Sequence, residues 1–161
     1  MIGSPPCTPF SQLQSLNPVT EKSRRKWKEG VEHIKCPVTL YKKQIDGGRV
    51  FLHEQPAHAK SWVIPEIKMM MAEVGVTVVE VDQCMYGLRT VGPDRKTEMH
   101  ANKPTKFMAN SRALGSELAK NCDGNHSHQS RGWKSSKGSS VSTRTMQGDM
   151  QRNHRDQTRK A

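Results

Sequence analysis

Apolar residues recur every three or four positions early in the chain, and this spacing predicts one face of an amphipathic helix. The positions are Trp27, Val31, Ile34, Val38, Tyr41 and Ile45. Thr20 is suited to cap the start of this helix, and Gly47-Gly48 to end it. Pro37 conflicts with a continuous helix, because an internal proline costs about 3 kcal/mol. Two shorter helices that meet at Cys36-Pro37 are therefore the alternative.

Short apolar and β-branched runs alternate with helical segments through the rest of the first 128 residues. The pattern predicts strands at 1–3, 49–54, 76–81 and 106–109, helices at 10–16, 65–74 and 111–119, and a loop at 89–104. The methionine run at 69–71 is expected to fill core space. A helix followed by a glycine turn and a strand is typical of a βαβ unit, so we predict an α/β fold with a parallel sheet.

Composition changes sharply near Gln129. Residues 129–161 contain eight Lys or Arg against two Asp and are rich in Ser, Gly and Gln. Such a segment cannot bury enough apolar surface to offset its ordering entropy. We therefore predict a folded domain at 1–128 and a disordered basic tail at 129–161. A reading-frame slip near Gln129 is one explanation of the change in composition.

The chain carries a formal net charge of +11, which favours an anionic partner, most often nucleic acid. We expect DNA to be that partner. The candidate contact residues are Lys103, Lys106, Arg131 and Lys134. A charge-driven nucleic-acid-binding module is accordingly one hypothesis for the function.

Three features that could carry chemistry follow predicted strands. Cys7 follows a Pro-Pro turn, Glu54 closes the strand at 49–54, and Tyr86-Gly87 follows the strand at 76–81. In parallel α/β sheets the functional residues lie beyond the carboxyl ends of the strands, so these features could share one edge. A thiolate can add to C6 of a pyrimidine while a carboxylic acid hydrogen-bonds N3, which activates C5 toward a methyl donor. In a duplex the base must first be flipped out.

Several motifs carry a resemblance to a known family. They are Ser4-Pro5-Pro6-Cys7 with Phe10-Ser11, the Phe-Leu-His-Glu-Gln run at 51–55, Tyr86-Gly87, and the Lys-Pro-Thr-Lys-Phe run at 103–107. Together they resemble the nucleophile-loop part of the cytosine-5 DNA methyltransferases. The pattern over residues 3–128 is closer still to a divergent version of that domain in copia-type retrotransposon polyproteins of algae and dinoflagellates.

The resemblance implies that Cys7 is the nucleophile, that Glu54 is the partner of N3, and that the intact ancestor uses S-adenosylmethionine. The fold it implies is a partial Rossmann-like methyltransferase sheet. In the family the cofactor loop precedes the nucleophile, and here Cys7 stands near the first residue. We therefore expect no cofactor binding and no independent catalysis from this chain, which would be a fragment from a mobile element. A missing N-terminal half, or self-association through exposed sheet edges, would complete the sheet.

Cysteine and histidine spacing indicates a possible metal site. Cys122, His126 and His128 form C-x3-H-x-H, and Cys84 could complete a four-ligand zinc site. A small zinc-stabilised structural domain is thus a third hypothesis, and a polar loop is the alternative explanation of the spacing. His53 and His58 are expected at the surface or hydrogen-bonded rather than as ligands. Scattered cysteines without C-x-x-C favour reduced thiols in an intracellular compartment, with the nucleus included, and no apolar stretch reaches the roughly 18 residues of a membrane span.

Overall fold

The computed structural model describes residues 1–92 and 94–129, and it is a mixed α/β fold. In chain order its elements are β1 (Ile2–Gly3), α1 (Glu21–Asp46), β2 (Leu52–Pro56), α2 (Pro65–Met71), β3 (Thr77–Asp82), β4 (Arg89–Val91), β5 (Glu98–His100), β6 (Pro104–Ala109) and α3 (Arg112–Leu118). The predicted basic tail, with Arg131 and Lys134, lies outside the described residues apart from Gln129.

The main sheet has four strands in the order β1-β2-β6-β3. β1 and β2 are parallel and α1 connects them, as the βαβ pattern predicts. β6 is antiparallel to both of its neighbours, β2 and β3. The expectation of a wholly parallel sheet is therefore wrong, because the last strand inserts between β2 and β3. The carboxyl ends of β1, β2 and β3 nevertheless lie along one edge, beside the start of β6.

α1 is one continuous helix of 26 residues with Pro37 inside it. Thr20 caps its start through a reciprocal pair of hydrogen bonds with Ser23, as the sequence predicts for Thr20. Pro37 has no N–H for the carbonyl of His33, but His33 is exposed, so water can solvate that carbonyl. The alternative of two shorter helices is therefore wrong. None of the described helices combines the length and apolarity that crossing a bilayer requires.

Helices cover both faces of the sheet. α1 and α2 pack on one face in a cluster that includes Ile34, Tyr41 and Met108, whereas α3 packs on the other face with Phe107. Residues 107 and 108 contribute to opposite clusters because successive strand side chains point to opposite faces. Of the three methionines at 69–71, Met70 alone is buried, so the expectation for the whole run is wrong.

Several predicted boundaries also differ from the structure. The second strand starts at Leu52 and not at residue 49, the helix at 65–74 ends at Met71, and residues 10–16 fall in two 3-10 turns, Thr8–Phe10 and Gln12–Leu16. The predicted loop at 89–104 contains the hairpin β4–β5. Asp94 closes this hairpin by accepting the N–H groups of Lys96 and Thr97, both at 2.9 Å. The Asp94 side chain stabilises this turn, and the alternation of apolar and polar residues cannot predict such a contact.

Candidate functional site

Four predicted metal ligands meet beside the carboxyl end of β3. Cys84 lies in the 3-10 turn Gln83–Tyr86 that follows β3, and Cys122, His126 and His128 lie in the segment after α3. One ligand atom from each residue falls in a group whose members all lie within 4.8 Å of one another. Cys84 is buried and the other three are half-buried. The cluster could therefore hold a metal ion.

The distances among Cys122, His126 and His128 match three ligands of a tetrahedral metal site. Cys122 Sγ lies 3.5 Å from His126 Nε2 and 3.6 Å from His128 Nε2. The two Nε2 atoms are 3.1 Å apart. With Zn–S near 2.3 Å and Zn–N near 2.0–2.1 Å, tetrahedral geometry puts S and N ligands about 3.5 Å apart and two N ligands about 3.3 Å apart. Hydrogen bonds cannot satisfy all three mutual contacts at once, whereas a central cation would draw all three lone pairs.

Two hydrogen bonds support the ligand Cys122, one from its own N–H to a carboxylate and one from a backbone N–H to its sulfur. Asp82 Oδ2 accepts the N–H of Cys122 at 2.8 Å. The N–H of Gly124 donates to Cys122 Sγ at 3.4 Å, and Gly124 adopts φ +76, a left-handed conformation that favours glycine. An N–H aimed at sulfur stabilises a thiolate, which is the form that binds a metal. Such groups outside the ligand set fix ligand orientation.

Loss of solvation shifts the pKa of two members of the cluster, Cys84 and His126. Burial, together with smaller contributions from the neighbouring Cys122 and Asp82, raises the pKa of Cys84 to about 11. Loss of solvation lowers the pKa of His126, and His100 and His128 add to that effect. The histidine is therefore held in the neutral form that coordinates metals, while a cation is what would drive the Cys84 thiol to a thiolate.

His100 is part of this region, although the sequence did not indicate it. Its ring stacks on His126 with 4.0 Å between centroids, and its Nδ1 is buried without a hydrogen-bond partner among the described residues. The carbonyl of His100 accepts the N–H of Gln129 at 3.1 Å, and His100 forms a β-bridge with His128. The cluster is thereby connected to the hairpin β4–β5. His100 lies in the segment that was predicted as a loop. A prediction of the hairpin β4–β5 would have been needed to place it beside the cluster.

The second group of predicted site residues surrounds Glu54 at the same edge of the sheet. The Ser4 hydroxyl donates to Glu54 Oε2 at 2.5 Å. On the other oxygen, Oε1, the Gln83 side-chain amide approaches to 3.5 Å and Lys103 Nζ to 3.9 Å. Residues that follow β1 and β3, and the one that precedes β6, thus converge on a single carboxylate. Gln83 precedes the metal-cluster residue Cys84, so one turn serves both groups.

The loop that carries Cys7 is fastened to the strand that carries Glu54. Gln55 Nε2 donates to the carbonyl of Pro5 at 2.5 Å. The carbonyl of Cys7 accepts the N–H of Phe10 at 3.0 Å, and the Cys7 thiol is half-buried and free. The sequence predicted that the Cys7 loop, Glu54 and the 82–87 turn share one edge, and these contacts agree with that arrangement.

Comparisons with known protein families, with curated proteins and with solved structures find no match to this chain.

The candidate nucleic-acid residues that the structure describes are engaged with carboxylates. Lys103 pairs with Glu54, and Lys106 Nζ lies 3.6 Å from Glu80 Oε2. Both lysine side chains are about one-third exposed, at 34% and 33%. The ion pairs reduce the positive charge that each lysine presents to an anionic partner. The other two candidates, Arg131 and Lys134, lie outside the described residues.

Proposed function

We propose that the described chain is a small zinc-stabilised α/β domain. The observation that carries the proposal is the three-way contact of Cys122, His126 and His128, whose distances fit tetrahedral zinc with Cys84 as the fourth ligand. Two thiolates and two imidazoles favour zinc over the hard cations magnesium and calcium, which prefer oxygen. Four protein ligands fill a tetrahedron, which is typical of a structural site and not a catalytic one.

Zinc in this position would fasten three parts of the chain together. Cys84 belongs to the turn after β3, and the other ligands belong to the segment after α3. His128 bridges to His100 at the end of β5. The metal would therefore close the segment after α3 onto the sheet edge and, through His100, hold the hairpin β4–β5 beside it.

Metal content and a graded set of variants test this proposal. The full chain should carry one zinc per molecule after dialysis, and cobalt in its place should give the visible absorption of tetrahedral thiolate coordination. Cys84→Ser and Cys122→Ser should each weaken zinc binding by about a hundredfold or more, and Asp82→Asn by about tenfold, since it supports Cys122 from outside the ligand set. The matched control is Cys36→Ser, because Cys36 is an exposed thiol away from the cluster. A metal-free preparation that takes up no cobalt would contradict the proposal.

The contacts around Glu54 favour a second proposal. We propose that this edge is the pyrimidine-binding edge of a cytosine-5 DNA methyltransferase-like domain with a Rossmann-like sheet. Two contacts support it, Ser4 with Glu54 and Pro5 with Gln55, because they hold the Pro-Pro-Cys loop against the carboxylate. By resemblance, Cys7 would face C6 of the base and Glu54 would face N3. A carboxylate also accepts the N4 amino group of cytosine, which distinguishes cytosine from thymine.

Binding of single nucleotides tests the second proposal without requiring methyl transfer. Titration of the full chain with deoxycytidine monophosphate, followed by NMR, should shift the amide signals of Gln55, Gln83 and Lys103 with millimolar affinity. Thymidine monophosphate should shift them much less. Glu54→Gln should abolish the preference for cytosine. Glu80→Gln is the matched control, since Glu80 is also a sheet carboxylate paired with a lysine. Equal shifts with both nucleotides, or none, would count against this assignment.

A further inference from the structure

An open groove of about 950 Å³ lies between the first half of α1 and the segment that precedes it. Phe10, in that segment, is fully buried, and its ring meets Trp27 edge-on with 4.9 Å between centroids. The two walls approach closely only because residue 30 is glycine: a Cβ there would lie 2.9 Å from Phe10 Cζ. The packing of Phe10 against Gly30 and Trp27 therefore fixes the position of the preceding segment on α1.

Large apolar side chains are exposed in and around this groove. Val19 and Trp27 line it and are 74% and 37% exposed, and Leu13 and Leu16 in the preceding segment are 66% and 81% exposed. The periodicity of α1 placed Trp27 on the apolar face of the helix, and Trp27 does contact the buried Phe10 there, but its side chain is only partly covered. Single exposed apolar residues are ordinary, but a cluster of them marks an interaction surface. The cluster is notable in a chain that is only 33% hydrophobic.

The charge around the groove is strongly positive. Lys22, Arg24, Lys26 and Lys60 line it. Among the described lining residues the one carboxylate is Glu29, which Arg25 approaches to 3.7 Å. The occupant should therefore be anionic. A second copy of this chain is a poor occupant, because it would bring a net charge of +11 to an already basic surface.

We propose that this groove binds an acidic peptide segment of a partner protein, one that carries large apolar side chains among its Asp and Glu residues. An apolar centre with a charged rim is the usual anatomy of a protein interface, and a tryptophan at its centre is a common anchor. Single-stranded nucleic acid fits the groove less well, because successive bases stack on a series of aromatic side chains, and the aromatic rings that line this groove are those of Trp27 and His33. The groove shares no residue with the metal cluster and does not include Glu54 or Cys7, although Pro6, which precedes Cys7, lines one end of it.

Selection from a random-peptide library on the full chain tests this inference. The recovered peptides should be enriched in Asp and Glu together with Leu, Phe or Trp. A synthetic peptide of the recovered sequence should bind the unmodified chain and lose at least about tenfold in affinity to the triple variant Val19→Ser, Lys22→Glu, Lys26→Glu. Circular dichroism of this variant should match that of the unmodified chain.

A matched variant separates the groove from charge in general. Val74→Ser, Lys42→Glu and Arg112→Glu remove one exposed apolar residue and reverse two exposed cations elsewhere, and this variant should bind the peptide with unchanged affinity. Recovered peptides without an acidic and apolar bias would overturn the proposal, as would equal loss in both variants. A labelled oligothymidine that loses affinity only with the groove variant, while no peptide is recovered, would assign the groove to nucleic acid and overturn it as well.

Discussion

Removing zinc should destabilise the protein by about 4 kcal/mol when free zinc had been a thousandfold above its dissociation constant. The expected drop in Tm is on the order of 10 °C or more for a domain of this size. The physical reason is that an ion bound by the folded chain alone adds its binding free energy to the free energy of unfolding. Thermal unfolding with and without a strong chelator measures the effect.

The loss of stability should be local before it is global. The amide protons of Cys122, Gly124 and Gln129 are bonded within or beside the cluster, so their hydrogen exchange should accelerate when the metal is removed. The strands β2, β6 and β3 pack in clusters that contain no metal ligand, so their amides should stay protected. Cys84→Ser should reproduce the chelated state and Cys36→Ser should not. An unchanged Tm after complete chelation would contradict this prediction.

Acidification should destabilise the protein through His53. The residue is fully buried on β2, and burial lowers its pKa to about 4 from an ordinary 6.5. Tyr41 Oη lies 3.0 Å from its Nδ1 and the Trp62 ring packs edge-on against it, whereas its Nε2 has no partner among the described residues. Neither neighbour is a charge that could stabilise an imidazolium.

The direction of the effect follows from linkage. The unfolded chain takes up the His53 proton near pH 6.5, but the folded chain takes it up only near pH 4. The contribution of His53 to the free energy of unfolding is therefore fully present above pH 6.5. It is lost as the pH falls from 6.5 to 4, by about 3 kcal/mol in total. Urea unfolding of the unmodified chain and of His53→Gln, both with excess zinc, isolates this contribution. The metal cluster is the same in both proteins, so any pH dependence that it contributes cancels in the comparison.

The variant should lose about 3 kcal/mol less stability than the unmodified chain between pH 7 and pH 4. His53→Gln can be less stable at pH 7, because glutamine packs differently against Tyr41, so the two slopes are compared and not the absolute values. Parallel pH dependences would show that His53 is solvated or protonated in the folded protein. The sequence predicted a surface or hydrogen-bonded histidine, and the contact with Tyr41 agrees with the second of these.

Local signals were sufficient for the elements that they directly specify. The period of three and four residues predicted α1, and Thr20 predicted its start, because capping involves residues three apart. The β-branched run at 76–81 predicted β3 to within one residue. Gly87 ends the turn after β3 with φ +77, a conformation that glycine adopts without strain. These features depend on near neighbours, so the sequence alone contains the information.

The sequence also determined which residue types were available for chemistry. The C-x3-H-x-H spacing places three metal ligands within one short segment, and no tertiary contact is needed to bring them near each other. Cys84 was suggested as the residue that could complete a four-ligand zinc site, whereas Glu54 as the carboxylate facing the Pro-Pro-Cys loop was an inference from the expectation that strand ends share an edge. That expectation needs the strand directions, which the sequence predicted for β1 and β2.

Only the tertiary structure decided how distant segments meet. The antiparallel insertion of β6 between β2 and β3 brings Lys103 to Glu54, and no local pattern specifies the partner of a strand. The hairpin β4–β5 and the stacking of His100 on His126 depend on an Asp94 side chain and on packing between segments. The sequence by itself thus determined the three α-helices, the strands of the main sheet and the residue types of the candidate ligands. The order of the strands, the completion of the metal cluster and the exposed face of Trp27 came from tertiary packing, because burial and pairing depend on contacts between residues far apart in the chain.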